Sequence, residues 1–176
     1  MTSSGIIRSH GIKAMGFVLG YENGIEFIKK NPNVICNIYE LLMISDPFTK
    51  KYAVNILYIL CEVLPKGFEY INRAAKESGL IHNRSPFNQL IDQLEEEDID
   101  LKIGVLTLLI SIIKKAPNDK KLCKFLARLE NMNTYQILQN CSMEENTELR
   151  RQLKNFQIVT GIVISTSKFE VFVFYS

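Results

Sequence analysis

The sequence predicts an all-α fold made of repeated helical units. Apolar residues recur at helical spacing along most of the 176 residues, and proline and glycine fall mainly between the periodic segments. A twenty-residue pattern occurs twice, as DPFTKKYAVNILYILCEVLP at 46–65 and as DIDLKIGVLTLLISIIKKAP at 98–117. Each copy runs from an aspartate to a proline with a lysine at its fifth place, which predicts two equivalent helices 52 residues apart.

Both repeated segments carry clear helix boundaries. Asp46 suits a helix cap, Pro47 suits the first helical position, and the apolar pattern continues to Leu64. Asp98 or Asp100 is expected to start the second helix, which ends before a proline in the same way. Shorter helices are predicted, in chain order, at Ser9–Leu19, Gly24–Lys30, Val34–Ile44, Phe68–Glu77, Phe87–Glu97, Lys120–Glu130, Thr134–Cys141 and Glu144–Val159.

The repetition extends beyond the opening pair. NIYELLMISD (37–46) aligns without gaps on QLIDQLEEED (89–98) in the 52-residue register, and GIEFI (24–28) resembles GFEYI (67–71) at an offset of 43. The longer interval leaves room for a loop insertion, for which GLIHNRS (79–85) is the candidate. Spacings of this size are typical of armadillo and HEAT repeats, whose units stack into a curved solenoid. We therefore predict an armadillo/HEAT-like helical-repeat superhelix.

The domain boundary is predicted near residue 157. Residues 1–157 carry the helical patterns and form the predicted armadillo-like repeat domain. Residues 158–176 read IVTGIVISTSKFEVFVFYS, which is rich in β-branched and aromatic residues, and they form a divergent C-terminal tail. A strand-like tail, a continued helix and the end of a fragment are all compatible with this composition.

The two repeated helices share a stripe that interrupts their apolar surface. Such a helix packs between neighbours over most of its circumference, so its exceptions indicate the free face. The last helix of each armadillo unit lines the concave groove, and we expect the stripe to face that groove, where an extended or helical ligand would bind. A merely solvated stripe is the alternative. Its members are Lys51, Asn55, Ile59 and Glu62 in the first copy, and Thr107, Ser111 and Lys114, in line with Ile103, in the second.

Bulk composition excludes several classes of protein. A net charge of +2 predicts neither nucleic-acid nor membrane binding, and the longest apolar stretch, Ile103 to Ile113, is too short to span a bilayer. The start resembles no secretion signal, so a cytoplasmic location is expected. Four cysteines without a CxxC pair indicate buried free thiols in a reducing compartment, and two histidines argue against a cysteine–histidine zinc site.

No catalytic constellation is present in the sequence. It contains no glycine-rich phosphate loop, no GxSxG elbow and no HExxH motif, so we expect neither an enzyme nor a cofactor. The acidic run at 95–100 lacks the alternating ligands and central glycine of a calcium loop. Its charges precede a helix, where they favour the helix N-terminus, so no metal site is expected.

A basic cluster leaves a nucleic-acid ligand open as an alternative. Few aromatic residues are interleaved with it, which disfavours stacking on single strands, and a solvated face or an acidic protein partner is favoured. The cluster consists of Lys114, Lys115, Lys120, Lys121, Lys124 and Arg128.

Several segments resemble the amino-terminal regulatory region of diaphanous-type formins. They are GIKAMGFVLGYENGIEFI, SPFNQLIDQLEEEDIDLKIGVLTLLISIIKKAPN and ENTELRRQLKNF. In order and spacing they are similar to the armadillo-repeat part of the GTPase-binding and third formin-homology segment, over roughly residues 9–157. KKAPNDKK and ELRRQL are also similar to the armadillo region of the engulfment-and-motility (ELMO) family, whose members act as adaptors in Rac and actin signalling.

The formin resemblance implies a non-catalytic regulatory module. In formins this region binds the protein's own autoregulatory helix and holds the actin-assembling half inactive until a Rho-family small GTPase releases it. The resemblance therefore implies that a formin autoregulatory helix lies in the groove beside residues 101–115, with Asn55, Ile59, Thr107, Ser111 and Lys114 as contacts. It also implies a cytoskeleton-associated protein. These residues include no polyproline region, actin-binding half or small GTPase-binding segment, so actin is expected to be affected only indirectly.

Overall fold

The computed structural model describes residues 11–14, 16, 21–163 and 172–173. Residues 11–14 are helical, and nine α-helices follow within the described part of the chain. Two two-residue strands, β1 (Ile162–Val163) and β2 (Phe172–Val173), form an antiparallel pair after the last helix. The helices are α1 (Glu22–Lys30), α2 (Asn33–Glu40), α3 (Pro47–Val63), α4 (Gly67–Ile81), α5 (Asn88–Asp92), α6 (Ile99–Lys114), α7 (Asp119–Asn131), α8 (Thr134–Ser142) and α9 (Thr147–Thr160).

The nine helices fall into three successive triplets. The helices α1, α2 and α3 form the first, α4, α5 and α6 the second, and α7, α8 and α9 the third. The helix α6 packs most extensively against α3 on one side and α9 on the other, so the third helix of each triplet builds one continuous layer. This order confirms the all-α repeat prediction. The 43-residue echo joins the first helices of two triplets, and the 52-residue repeat joins their third helices.

The third helix of each triplet begins with the same side-chain cap. Asp46 accepts a hydrogen bond from the Thr49 backbone N–H at 3.0 Å, and Asp98 accepts one from Leu101 at 3.0 Å. The third copy uses Asn146, whose side-chain oxygen lies 2.9 Å from the Leu149 nitrogen. Each cap satisfies a backbone donor that the first helical turn leaves unpaired. The predicted start at Asp46 is confirmed, and the choice between Asp98 and Asp100 falls to Asp98.

The predicted insertion is partly helical. The helix α4 continues to Ile81, so Gly79, Leu80 and Ile81 belong to it and not to a loop. The chain then folds back, and the Arg84 backbone N–H donates to the Gly79 carbonyl at 2.8 Å. The insertion therefore lengthens the first helix of the second triplet, because α4 has 15 residues and α1 has 9.

The helix expected at Phe87–Glu97 is shorter than predicted. Phe87 precedes α5 with φ of 76°, and the backbone forms turns after Asp92. A left-handed backbone is unfavourable for a bulky residue. Burial of the ring offsets this strain, because Phe87 is fully buried with its centroid 4.9 Å from that of Phe125.

Several helix ends also differ from the prediction. The last helix starts at Thr147 instead of Glu144, because Asn146 provides the cap, and it continues to Thr160. The predicted boundary at 157 therefore lies inside a helix, while the domain division itself stays a prediction. The expected helix at Ser9–Leu19 is described only at residues 11–14 and 16, which are helical.

The cysteine prediction is correct for burial at two positions. Cys61 and Cys141 are buried free thiols, Cys36 is partly exposed, and Cys123 is exposed on α7. The prediction was wrong for Cys123, because the amphipathic α7 packs its apolar face, with Phe125 and Leu129 fully buried, against the core, and Cys123 lies on the opposite, exposed face. Burial, followed by the nearby Glu77 carboxylate, raises the pKa of the Cys36 thiol to about 11.

The central helix α6 is apolar around almost its whole circumference. Ten of its sixteen residues are buried, because α3 and α9 cover opposite sides. Across the part of the chain that the structure describes, no helix combines the length and apolar character needed to cross a membrane.

Candidate functional site

A groove with a volume of about 400 Å³ lies where α3 and α6 pack side by side, at the edge of α9. Three residues of the predicted stripe, Lys51, Asn55 and Thr107, line it. Seven further residues complete the lining: Val54, Tyr58, Asp100, Leu101, Ile103, Gly104 and Glu148. The third helices of all three triplets therefore contribute to this one groove.

The rim of the groove holds an ion-pair cluster. Lys51 Nζ lies 3.0 Å from Asp98 Oδ2 and 3.7 Å from Asp100 Oδ2. The hydrogen bond that Lys51 donates to Asp98 is the main reason that the pKa of Lys51 is raised, so this lysine keeps its charge. Since Asp98 also caps α6, the Lys51 ammonium group is held at the start of α6. Asp100 remains largely exposed, with 80% of its side chain accessible.

The floor of the groove forms where the two helices approach closely. A Cβ atom on Gly104 would lie 3.2 Å from Val54 Cγ1, so a larger residue would press the helices apart. Tyr58 and Ile103 are partly buried and give the floor an apolar surface. The Thr107 hydroxyl donates to the Ile103 carbonyl at 2.8 Å, so its hydrogen-bonding capacity is already used within α6.

The far end of the predicted stripe is closed by contacts between the helices. Ser111 is only 2% exposed, and its hydroxyl donates to Glu62 Oε1 at 2.7 Å. Lys115 Nζ lies 3.0 Å from the Glu62 backbone oxygen and 3.3 Å from its Oε2. Ile59 is partly buried and Lys114 is exposed, and neither lines the groove. The predicted stripe therefore divides into a groove-lining half, formed by Lys51, Asn55 and Thr107, and a second half in which only Glu62 and Ser111 join the two helices.

Among the groove residues that the predicted stripe does not include, Tyr58, Gly104 and Glu148 come from three different parts of the repeat. Tyr58 lies one residue from the predicted stripe and reads as core. Gly104 is the single glycine inside the apolar run 101–113, which is a signal of close backbone approach. Glu148 comes from the third triplet, which has too little residue identity to appear as a repeat. The sequence feature that could have indicated Glu148 is the capping residue Asn146, which occupies the position equivalent to Asp46 and Asp98 in the third triplet.

We expect the Glu62–Ser111 contact to be visible in the acid titration of the protein. The Ser111 hydroxyl lowers the pKa of Glu62 below its usual range, with burial opposing and Lys115 assisting. A carboxylate with a lowered folded-state pKa stabilises the fold above its ordinary pKa, and this contribution is lost as pH falls through the folded value. Ser111→Ala is therefore expected to raise the Glu62 titration midpoint measured by carboxyl NMR.

Ser142 provides the matched control for this titration. Its hydroxyl donates to the Gln139 backbone carbonyl at 2.6 Å and not to a carboxylate. Ser142→Ala should leave the Glu62 midpoint unchanged. An unchanged midpoint in Ser111→Ala would contradict the assigned cause.

Two residues of the acidic run at 95–100, Glu96 and Asp98, hold neighbouring helices together. Glu96 pairs with the buried Lys50 at 2.6 Å, and Asp98 caps α6 and pairs with Lys51. No group of three or more potential ligands among the described residues is arranged to hold a metal ion.

Half of the basic cluster is also engaged. Lys121 Nζ lies 2.9 Å from Glu69 Oε1, Arg128 Nη1 donates to Asn72 Oδ1 at 2.9 Å, and Lys115 pairs with Glu62. These contacts tie α6 and α7 to α3 and α4. They leave a smaller free basic surface than the sequence indicated.

Comparisons with known proteins identify the family of the chain. The FHOD1/3 FH3 domain family matches residues 5–137. Formin-C of Dictyostelium discoideum is 26% identical over 167 residues, which are 94% of this chain and 14% of that protein. Formin-G of the same organism is 22% identical over 163 residues, or 92% of this chain and 15% of that protein.

These matches decide between the two resemblances seen in the sequence. They favour the formin region over the ELMO region, and they support the armadillo-like fold. The chain spans about a seventh of the length of each of these two relatives. The region from residue 5 to residue 137 includes α3 and α6, which form the two main walls of the groove. The chain belongs to the formin FH3 domain family, of the FHOD1/3 type.

Proposed function

We propose that this chain is a non-catalytic regulatory module of a formin, and that its groove receives an autoregulatory helix. A Rho-family small GTPase would control that contact, and actin organisation would respond only indirectly. The proposal places the protein in the cytoplasm in association with the cytoskeleton. Membership of the FH3 family supports the regulatory role.

The observation that carries the proposal is the convergence of the groove-lining half of the stripe. Lys51 and Asn55 on α3 face Thr107 on α6 across a concave surface with an apolar floor. Amphipathic helices bind such grooves through apolar anchors at i, i+3 or i+4, and i+7. A volume of about 400 Å³ suits a few such anchoring side chains of a helix laid across α3 and α6.

The charges at the rim favour a helix with a basic residue beside its apolar face. Asp100 and Glu148 are the acidic members of the lining, and Lys51 is already paired with Asp98. Glu148 accepts hydrogen bonds from Arg151, which leaves Asp100 as the more available carboxylate. A lysine or arginine of the ligand near Asp100 would meet a charge that is not buried by folding.

A substitution at Asn55 tests the groove directly. Asn55 is exposed, so Asn55→Arg should fold normally while filling the groove with a long cationic side chain. We expect the affinity for a fluorescent synthetic formin autoregulatory helix to fall about tenfold or more, because the arginine occupies the space into which the apolar side chains of the helix would bind. Fluorescence anisotropy gives the dissociation constant, and a thermal melt confirms folding.

Asn140→Arg serves as the matched control. Asn140 is an exposed helical asparagine on α8 that does not line the groove. The control should bind the peptide like the unmodified protein. Equal binding by Asn55→Arg would rule out this groove as the helix site. A separate pull-down with GTP-loaded and GDP-loaded Rho-family proteins tests the GTPase contact, and equal recovery of both would count against it.

A further inference from the structure

In the first two triplets, the fifth residue counted from the cap of the third helix is a lysine. Each of these lysines lies on the surface that packs against the next triplet. Lys50 is only 8% exposed, and its Nζ lies 2.6 Å from Glu96 Oε1. Lys102 is only 7% exposed and pairs with Glu144. Both carboxylates come two residues before the next cap, from the segment that leads into the following helix. The same contact therefore joins triplets one and two, and triplets two and three.

The third triplet places Arg150 at this position. Arg150 is the fifth residue from the Asn146 cap, as Lys50 is from Asp46. Unlike the two lysines it is exposed, and its Nε donates to the Glu144 backbone carbonyl at 3.1 Å. Among the described residues no carboxylate forms an ion pair with it. The position that binds an acid twice in this fold thus presents a guanidinium that has no carboxylate partner among the described residues.

The neighbouring positions on α9 have changed from apolar to polar. Val54 and Leu57 in the first copy, like their equivalents Leu106 and Leu109 in the second, are buried. In α9 the corresponding residues are Lys154, which is exposed, and Gln157. Stacking of another apolar repeat would bury Lys154 without a counter-charge, which is unfavourable. A charged occupant therefore suits this face better than a further apolar unit.

Arg150 and Lys154 line a broad cavity of about 810 Å³ on this face. They lie one helical turn apart and thus on the same side of α9. Leu153 forms an apolar part of the lining, and Met143, 61% exposed, forms another. Arg151, also in the lining, is neutralised by Glu148 at 2.6 Å. Two cations beside an apolar surface are complementary to carboxylates carried on a partly apolar chain.

We propose that the outer face of α9 is a docking surface for an acidic polypeptide segment, whose carboxylates are bound by Arg150 and Lys154. The chain itself supplies the pattern of such a segment, because NQLIDQLEEED (88–98) presents Glu96 to Lys50 in the first contact of this kind. Arginine binds a carboxylate through two parallel hydrogen bonds, which gives direction as well as attraction. This surface is distinct from the groove between α3 and α6.

The test is an NMR titration of the ¹⁵N-labelled chain with the acetylated and amidated peptide NQLIDQLEEED. We expect chemical-shift changes concentrated at α9 that grow with peptide concentration. The double substitution Arg150→Gln and Lys154→Gln should weaken binding about tenfold or more, since both charge-assisted contacts are lost. Both side chains are exposed, so the fold should be retained. A peptide with every acid replaced by its amide, NQLINQLQQQN, should not bind.

Lys120→Gln with Lys124→Gln is the matched control, because these exposed residues of α7 have the same spacing and charge. It should bind the peptide like the unmodified chain, whereas equal loss in both double variants would reduce the effect to net charge and overturn the proposal. A uridine oligonucleotide that binds α9 more tightly than the peptide would also overturn it, in favour of a nucleic-acid site. Self-association in sedimentation velocity that Arg150→Gln abolishes would assign the surface to a second copy instead.

Discussion

Gly67→Ala is expected to destabilise the fold by about 3 kcal/mol. A Cβ atom at this position would lie 2.1 Å from the Cys61 carbonyl oxygen and 2.7 Å from its carbon. Both atoms belong to the backbone of α3, so no side-chain rotation relieves the clash and the turn between α3 and α4 must open. The gain in helix propensity from glycine to alanine, about 1 kcal/mol, only partly offsets this cost. Urea denaturation measures the difference.

Gly16 is the control for the glycine prediction. It lies in a helical segment, and a Cβ atom there would meet no atom of the described residues within 4 Å. Gly16→Ala should therefore leave stability unchanged or raise it by up to about 1 kcal/mol. If Gly67→Ala unfolds at the same urea concentration as the parent chain, the close approach of α3 and α4 is not required by the fold.

Phe125→Ala is expected to cost about 4 kcal/mol, because it empties a cluster that joins two triplets. Phe125 on α7 is only 1% exposed. Its ring makes edge contacts with Phe87 at 4.9 Å and with Phe68 on α4 at 6.5 Å, measured between centroids. Neighbouring units of a solenoid stabilise one another, so the loss should lower the cooperativity of unfolding as well as its midpoint. Calorimetry reports both quantities.

Two further variants separate packing from simple loss of an aromatic ring. Phe125→Leu retains most of the volume and should cost less than about 2 kcal/mol. Phe27 on α1 is 53% exposed, and Phe27→Ala should change stability by less than about 1 kcal/mol. Equal effects at Phe27 and Phe125 would contradict the assignment of Phe125 to the interface between triplets.

These interfaces bear on function because the groove is built by more than one triplet. Its walls come from α3 and α6, and Glu148 of α9 completes its edge. A change in the stacking angle would move these residues relative to one another. Stability variants should therefore be checked for folding before any loss of peptide binding is assigned to the groove.

The repeat architecture was predictable because it follows from short sequence patterns within each helix. A cap, a lysine four residues later and a closing proline recur with the apolar pattern in both copies, and each signal acts within one helix. The sequence predicted the position of the insertion at 79–85 correctly, but it predicted a loop where α4 continues to Ile81. The backbone contact from Arg84 to Gly79, which returns the chain after an extended helix, depends on residues that the sequence alone does not bring together.

The two halves of the stripe show where sequence reasoning stops. Helical spacing placed Asn55 and Thr107 on one line with Ser111, and two of these three residues line the groove. Ser111 differs because Glu62 reaches it from the neighbouring helix at 2.7 Å and closes that end. Exposure of a polar residue is decided by which side chain of the partner helix lies opposite, and that depends on the rotation and offset of the two helices.

The sequence by itself determined the helical class, the repeat and the Asp46 cap, since periodicity and capping are properties of one segment at a time. Only the tertiary structure decided that the last three helices repeat the earlier triplets, because Asn146 and Arg150 occupy the cap and cation positions with different side chains. It also decided which lysines are structural. Lys50 and Lys102 appear in the sequence only as a shared lysine at the fifth place of the repeat, and in the structure a carboxylate from the following triplet neutralises each of them in the interface. Such pairing is set by the packing of distant segments, and no local pattern records it.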